Sequence, residues 1–460
     1  MSVAVMLFTS DLRLHDQPAL SAALREADEI VPLFVLDRGI RKAGFDAPNR
    51  RAFLADCLHA LDAGLRERGG RLVIRTGDVT EQVCRVVTES GARSVHVAGG
   101  VSAYALRREE RLREGLGALR CALHVHDGVV TAVPPGRVTP AESNHFRVFT
   151  PYFRRWQDIG PRGTLPAPRA VPVPELAGHP MPRRTAVGEV SPGLALGGET
   201  EARRRLRTWL ADESHGIAAY DRRHNDLPGD ATSRLSPHLH FGTLSATEVV
   251  QRARARGGPG ADAFVRQLAW RDFNHQVLAA RPDASRADYR GRDDQWRGDE
   301  KEIAAWKEGR TGCPIVDAAM RQLLHEGWMH NRARLLAASY LTKTLYVDWR
   351  VGARHFLELL VDGDIANNQL NWQWAAGTGT DTRPNRVLNP SAQAKRCDPD
   401  GDYVRRWVPE LAELAGPVVH EPWKLDGLRR ARLDYPDPLV DHAEGRARFE
   451  RARGLRRSPG

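Results

Sequence analysis

A chain of 460 residues with 41% hydrophobic content can bury a sizeable core, as one large domain or two, and is not a disordered segment. Its net charge of +10 is carried almost wholly by arginine, since lysine stands only at Lys42, Lys301, Lys307, Lys343, Lys395 and Lys424; this balance favours a polyanionic partner such as nucleic acid. Five cysteines with no CxxC pair argue against a disulfide framework or a zinc site, and no run of 18 apolar residues offers a membrane span, so a reducing cytoplasm is expected, with no metal site.

The opening VAVMLF (3–8) is too short for a leader and has no charged region before it, so it reads as a buried strand. EIVPLFVLD (29–37), RLVIRTG (71–77), SVHVAGG (94–100) and ALHVHDG (122–128) repeat the signal, with helical patterns such as NRRAFLADCLHALDAGLRERG between them. Val- and Ile-rich strands spaced by single helices predict a parallel sheet covered on both faces, a doubly wound α/β domain over 1–131. From Phe153 to about Thr200 the composition moves to Pro, Gly, Arg and Ala (PRGTLPAPRAVPVPELAGHPMPRR), which supplies no packed core and reads as a long ordered or semi-rigid connection, so that 132–199 is expected to be an interdomain linker. Beyond it strand signals stop. Helical periods such as ADAFVRQLAWRDFNHQVLAA and PIVDAAMRQLLHEG predict an all-α domain over 200–435. The Arg-rich remainder, 436–460, reads as a solvated helix and frayed tail.

Four stretches of the helical half carry chemistry. TSRLSPHLHFG, from Thr232, sets hydroxyls and Arg234 before a proline suited to a first helical turn, an anion cradle without a glycine-rich loop. DGDIANNQLNWQWAAGTGTD (362–381) crowds carboxylates, amides and indoles into a span that must be largely buried; a bulky polar ligand would satisfy those groups. GWMHNRARLL and LAWRDF interleave basic and aromatic residues, a pattern suited to a nucleic-acid backbone with an unstacked base. Trp306, Trp349 and Trp372 stand on three separate helical patterns, where the residues alone read as core packing.

Taken together, SDLRLHDQPAL (10–20), RVFTPYFRRW (147–156), TSRLSPHL (232–239), LAWRDF (268–273), TGCPIVDAAMRQL (311–323), GWMHNRARLLAASYLTK (327–343) and DGDIANNQLNWQWAAGTGTD closely resemble the cryptochrome/DNA photolyase family, and within it the bacterial class I branch that acts on cyclobutane pyrimidine dimers. The resemblance runs from the N-terminus to DYVRRWVPEL at 402–411. It implies an N-terminal antenna domain, with deazaflavin or folate as a second chromophore, and a helical domain holding FAD in a U shape.

By position, the resemblance gives Tyr220, Thr232, Ser233, Arg234, Leu235 and Ser236 to the pyrophosphate and ribityl part of FAD. It gives Arg334, Asp362, Gly363, Asp364 and Asn368 to the surroundings of its ring, with Asn368 near flavin N5. Trp372, Trp349 and Trp306 match the family's photoreduction chain, in that order from flavin to surface. His224, Gln267, Trp270, Arg271, Asn331, Arg332, Leu335, Trp374 and Arg386 match positions that face DNA or the lesion. The implied activity is light-driven repair of UV-damaged DNA by a cytoplasmic monomer without an obligate protein partner. (6-4) repair and blue-light signalling without repair are the alternatives.

Asn331 stands where (6-4) enzymes place a second histidine, and Asn368 where plant-type signalling members usually carry aspartate, so both favour dimer repair. Three positions depart from the dimer-splitting pattern: Gln267 replaces a glutamate, His224 an arginine and Leu335 a methionine. An amide can donate to a thymine carbonyl but brings neither negative charge nor a carboxyl proton. FTSDLR also departs from the usual WFRRDLR, which leaves the antenna site open to alteration.

Overall fold

The five apolar runs form one parallel sheet, β1 (Val3–Phe8), β2 (Glu29–Asp37), β3 (Val73–Gly77), β4 (Ser94–Ala98) and β5 (Ala122–His126), in the order β3-β2-β1-β4-β5. Val5 lies opposite both Val31 and Val95, so the middle of the sheet is apolar on each strand and needs cover on both faces. Helices supply it. Pro18–Glu26 and Pro48–Arg66 help to build one apolar layer, while Val79–Ser90 and Ala103–Ala118 help to build the other. Asp78 shows why such a helix starts where it does: its carboxylate accepts from the backbone N–H groups of Thr80 and Glu81, two donors that the first turn would leave unpaired.

The computed structural model describes residues 1–455. Beyond the sheet the described chain is helical, and two further apolar clusters form there. One gathers Trp306, Trp349 and Trp372; the other gathers Tyr220, Phe264 and Phe273. No described helix is long and apolar enough to cross a membrane.

The join between the two halves is polar and tightly bonded. The fully buried Arg13 donates to the carbonyls of His15, Asp16, Val129 and Gly242, so every nitrogen of its guanidinium is paired. Asp16 in turn receives Arg162 and Ser245, and Glu199 accepts from the backbone N–H groups of Leu14 and His15. The SDLRLHDQ motif therefore spends its charges on this seam.

Two expectations change. The stretch 132–199 does supply packed core. It contains a helix, Phe149–Ile159, whose Tyr152 and Trp156 are fully buried; Trp156 Nε1 donates to Asp272 at 3.0 Å. Its proline-rich part runs along the sheet domain, with backbone bonds from Val171 to Arg68 and from His179 to Ile74. Aromatic residues spaced three to four apart made that helix, and they were masked by the surrounding prolines.

The Arg-rich end is not simply solvated either. His442–Ala452 is a helix whose Phe449 is fully buried, and Arg453 donates to Asp294 at 2.7 Å and to the Ala376 carbonyl at 3.0 Å. Gly445 makes the docking possible, because a Cβ there would stand 2.6 Å from the Thr344 side chain. Residues 456–460 of the expected tail lie outside the described residues.

Candidate functional site

Helix Gly258–Ala280 packs against helix Ile365–Ala376 and against the short helix Tyr220–Arg223, and Asn331–Ser339 packs on Ile365–Ala376 in turn. Two polar contacts tie Gly258–Ala280 to the start of Ile365–Ala376. Asn274 Nδ2 donates to Asn367 Oδ1 at 3.0 Å, and His275 Nε2 lies 3.3 Å from Asp364.

Asp364 is the N-cap of Ile365–Ala376, accepting from the Asn367 N–H at 2.8 Å. Burial works to raise its pKa, but His275, Arg271 and His240 around it hold the carboxyl well below the usual range. Two residues earlier, Asp362 accepts from Arg334 Nη2 at 2.8 Å, and Arg334 Nε is fixed by the Met329 carbonyl. The second oxygen of Asp362, Oδ1, is buried with no partner. A buried charged acceptor left half-satisfied is expensive, so this oxygen marks a place for a donor from a ligand. Gly363 between them has to be small, since a Cβ would meet the Arg50 guanidinium at 3.0 Å.

The Thr232–Ser236 stretch differs from its sequence reading. The helix begins at Ser236 and lasts five residues, so it offers little of a helix N-terminus to an anion. Nor is Arg234 free to hold one. Its Nε donates to Asp230 at 2.5 Å, its Nη1 lies 3.2 Å from Glu326, and its guanidinium stacks 4.2 Å over Trp328. Two carboxylates already neutralise that charge. The Ser236 hydroxyl accepts from Trp328 Nε1 at 3.1 Å, Thr232 Oγ1 donates to Asp230, and the Leu235 side chain is buried. Ser233 Oγ accepts from the Leu235 N–H at 3.4 Å, and Tyr220 is buried against Phe264 and Trp209.

Of the residues expected to face DNA, Gln267, Asn331 and Arg386 are exposed, while His224, Trp270, Arg332, Leu335 and Trp374 are half-buried. One face of the Trp270 indole is covered by Phe149, stacked at 3.8 Å between centroids and 5° between planes. Arg332 donates to Asn225 Oδ1 at 2.9 Å, beside His224, whose Nδ1 lies 2.8 Å from the Tyr220 carbonyl. Arg386 presents its side chain to solvent while its carbonyl holds the buried Lys343 ammonium at 2.6 Å.

Arg271 breaks the pattern. Its side chain is only 12% exposed and donates to the carbonyls of Val130 and Leu239, so it points inward and leaves the basic face to Arg332 and Arg386. Its place on the long helix was readable in the sequence, but the direction of its side chain was not.

Asn368 and Trp372 share one face of Ile365–Ala376, a turn apart, and Asn368 Nδ2 donates to the Ala353 carbonyl at 3.0 Å. Trp372 lies against helix Trp349–Leu359 at Gly352, where a Cβ would come within 2.1 Å of the indole. Trp349 is buried with its Nε1 on Asp288 at 2.8 Å.

Trp306 corrects the expected order. It is fully buried, edge-on to Trp372 at 5.9 Å, with Nε1 on the Ala337 carbonyl, and so cannot be the end of a chain that reaches solvent. Trp296 is half-buried instead, and its neighbour Arg297 pairs with Val347 two positions before Trp349. The signal was present in the polar run DDQWRGDE, where one tryptophan stands among charges that belong at a surface.

Comparison with known proteins adds the following. A model of the DNA photolyase domain matches residues 4–175, and one of the FAD binding domain of DNA photolyase matches 264–454. The deoxyribodipyrimidine photo-lyase of Streptomyces griseus is 68% identical over 99% of this chain and 100% of its own, and that of Escherichia coli K12 is 33% identical over 98% and 99%. Among solved structures, a bacterial class III photolyase from Agrobacterium tumefaciens aligns with a TM-score of 0.91 at 30% identity, covering 99% of this chain and 97% of its own. A cryptochrome from Synechocystis aligns at 0.90 and 28%, covering 98% and 99%.

Proposed function

Because the chain belongs to the DNA photolyase family, we propose that it acts as a deoxyribodipyrimidine photo-lyase, a light-driven lyase that splits cyclobutane pyrimidine dimers in UV-damaged DNA. The observation that carries this reading is the Arg334–Asp362 pair, whose one unpartnered buried oxygen lies just ahead of the helix that carries Asn368 and Trp372. That arrangement fits FAD, whose ring carries an N–H able to meet a carboxylate. Arg334, Asp362, Gly363, Asp364 and Asn368 would hold the ring, and Tyr220 with the hydroxyls and backbone of Thr232–Ser236 the remainder. When bound, FAD supplies the photochemistry, as the light-excited one-electron donor.

The chain's own residues do the rest. Arg332 and Arg386 engage phosphates on either side of the lesion and fix its register. The dimer leaves the stack for about a few kcal/mol or less, since cross-linked pyrimidines already pair poorly. The uncovered face of Trp270 then stacks on it, a contact worth about 1–3 kcal/mol, and Phe149 behind the indole keeps it from turning. Gln267 donates its amide to a pyrimidine carbonyl, and Leu335, one turn beyond Asn331, lies along the dimer. Asn368 remains neutral and anchored on Ala353, so it brings no charge to the ring. Trp372 and Trp349, with Trp296 as the end that meets solvent, would relay electrons from a reductant in solution toward the bound ring.

We place the protein in the cytoplasm as a monomer, with a second chromophore at the carboxyl ends of β1 and β4, where the strand order reverses and open α/β sheets bind ligands. The test is to illuminate chemically reduced protein with an oligonucleotide carrying one cyclobutane dimer and to measure restored thymines, with a (6-4) oligonucleotide in parallel. Restoration of the first alone is expected. Flavin bound without repair of either would instead assign a photoreceptor, the reading that Gln267 and the Synechocystis cryptochrome favour.

A further inference from the structure

Strand β5 reads Ala-Leu-His-Val-His, and the alternation of a strand puts His124 and His126 on one face and Leu123 and Val125 on the other. The apolar pair packs into the sheet's core layer, as expected. The histidine face is harder to explain by packing, because β4 places His96 directly opposite His124 in register. The helix Pro18–Glu26 ends above this point and lowers Glu26 onto it. His96 Nε2 lies 3.1 Å and His124 Nε2 3.5 Å from the same Glu26 oxygen, and the three atoms all fall within 4.8 Å of one another.

We propose that Glu26, His96 and His124 form a binding site for a borderline divalent cation of the Zn2+ class, separate from the flavin and DNA sites. Imidazole nitrogen and carboxylate oxygen at about 2.0–2.1 Å from zinc, held at tetrahedral angles, stand about 3.3 Å apart. The two carboxylate edges, 3.1 and 3.5 Å, bracket that spacing without rearrangement. Three protein ligands leave the fourth position to water. The donor set excludes the oxygen-loving Mg2+ and Ca2+ as preferred occupants, since two of the three ligands are imidazoles.

His126 completes the arrangement. Its Nε2 lies 3.0 Å from His96 Nδ1, and the two rings stack at 5.2 Å. With a cation on Nε2, the His96 proton would sit on Nδ1 and be donated to His126 Nε2, the kind of outer support that metal-bound histidines usually have. His96 itself is 2% exposed, whereas Glu26 and His124 are each 44% exposed, so the site is anchored inside and reached from solvent. A cation here would tie the edge strand β5 and its neighbour β4 to the end of the helix above them.

The experiment uses the full chain without any polyhistidine tag, titrated with Co2+ and then Zn2+. One Co2+ per chain is expected, with the intense visible bands of tetrahedral coordination read at wavelengths longer than flavin absorption, and displacement by Zn2+. Zn2+ should also raise the thermal midpoint. His126→Ala should weaken binding by about tenfold or more. The double variant Glu26→Gln with His124→Ala removes two half-exposed ligands, so it keeps its fold, and it should lose both the bands and the thermal shift. Equal Co2+ uptake by the double variant, or octahedral Co2+ spectra with no thermal shift in the parent, would overturn the proposal.

Discussion

Two buried charge clusters, one at the seam of the sheet domain and one in the helical half, are built in opposite ways. At the seam of the sheet domain, Arg13 is fully buried and each of its nitrogens meets a carbonyl, while Asp16 collects Arg162, Ser245 and the Leu165 N–H. In the helical half, Arg334 meets Asp362 through one oxygen only, and Asp362 Oδ1 is the sole carboxylate oxygen among the described residues that is buried without a partner. Both clusters carry the cost of taking charges out of water. A closed network returns that cost as rigidity, whereas an open one keeps an acceptor of defined polarity for a ligand. The contrast separates charges that build the fold from charges that build the site.

The largest effect should come from the closed network. Arg13→Ala leaves the buried carbonyls of His15, Asp16, Val129 and Gly242 without their donor and takes one cation away from Asp11 and Asp16. A loss of about 3–5 kcal/mol is expected in urea denaturation. A loss within the scatter of surface variants would mean that water fills the seam and that the contrast is false.

Asp362→Asn in the open network should behave differently. The amide keeps one acceptor for Arg334 but loses the charge, so stability without flavin changes little. A charge-assisted bond to the ligand is lost, about 1.5–3 kcal/mol, which weakens flavin retention on the order of tenfold to a hundredfold. The ratio of flavin to protein absorbance after dialysis checks this. Full retention would remove Asp362 from the site.

The tryptophans sharpen the comparison further, because burial alone separates them. Trp296→Phe should slow light-driven reduction of the oxidised flavin about tenfold or more while repair by chemically reduced protein stays near normal. Trp306→Phe, deep in the core and edge-on to Trp372, should change the photoreduction rate far less. The reverse order, read by flash photolysis, would restore Trp306 to the end of the route. The smallest effect is expected from Gln267→Glu, which adds a carboxyl at an exposed position. Dimer repair should rise by no more than about tenfold, since one hydrogen bond contributes about 0.5–1.5 kcal/mol. A gain for (6-4) products instead would reverse the assigned lesion.

Much of this was legible before any coordinates. The alternation and composition of VAVMLF, EIVPLFVLD and their three successors determined a parallel sheet, because apolar periodicity acts over a few residues and is written wholly within them. The crowding of carboxylates and amides in 362–381 determined that some polar ligand belonged there, because buried polar groups must be paired. Tertiary structure alone decided which way Arg271 turns, that Asp230 and Glu326 occupy Arg234, that Trp306 is interior while Trp296 meets solvent, and that Phe449 docks the C-terminal helix. It also decided that Glu26, His96 and His124 converge. Each of these depends on a partner far away in the chain, and periodicity sets which face a residue takes without naming what will stand opposite.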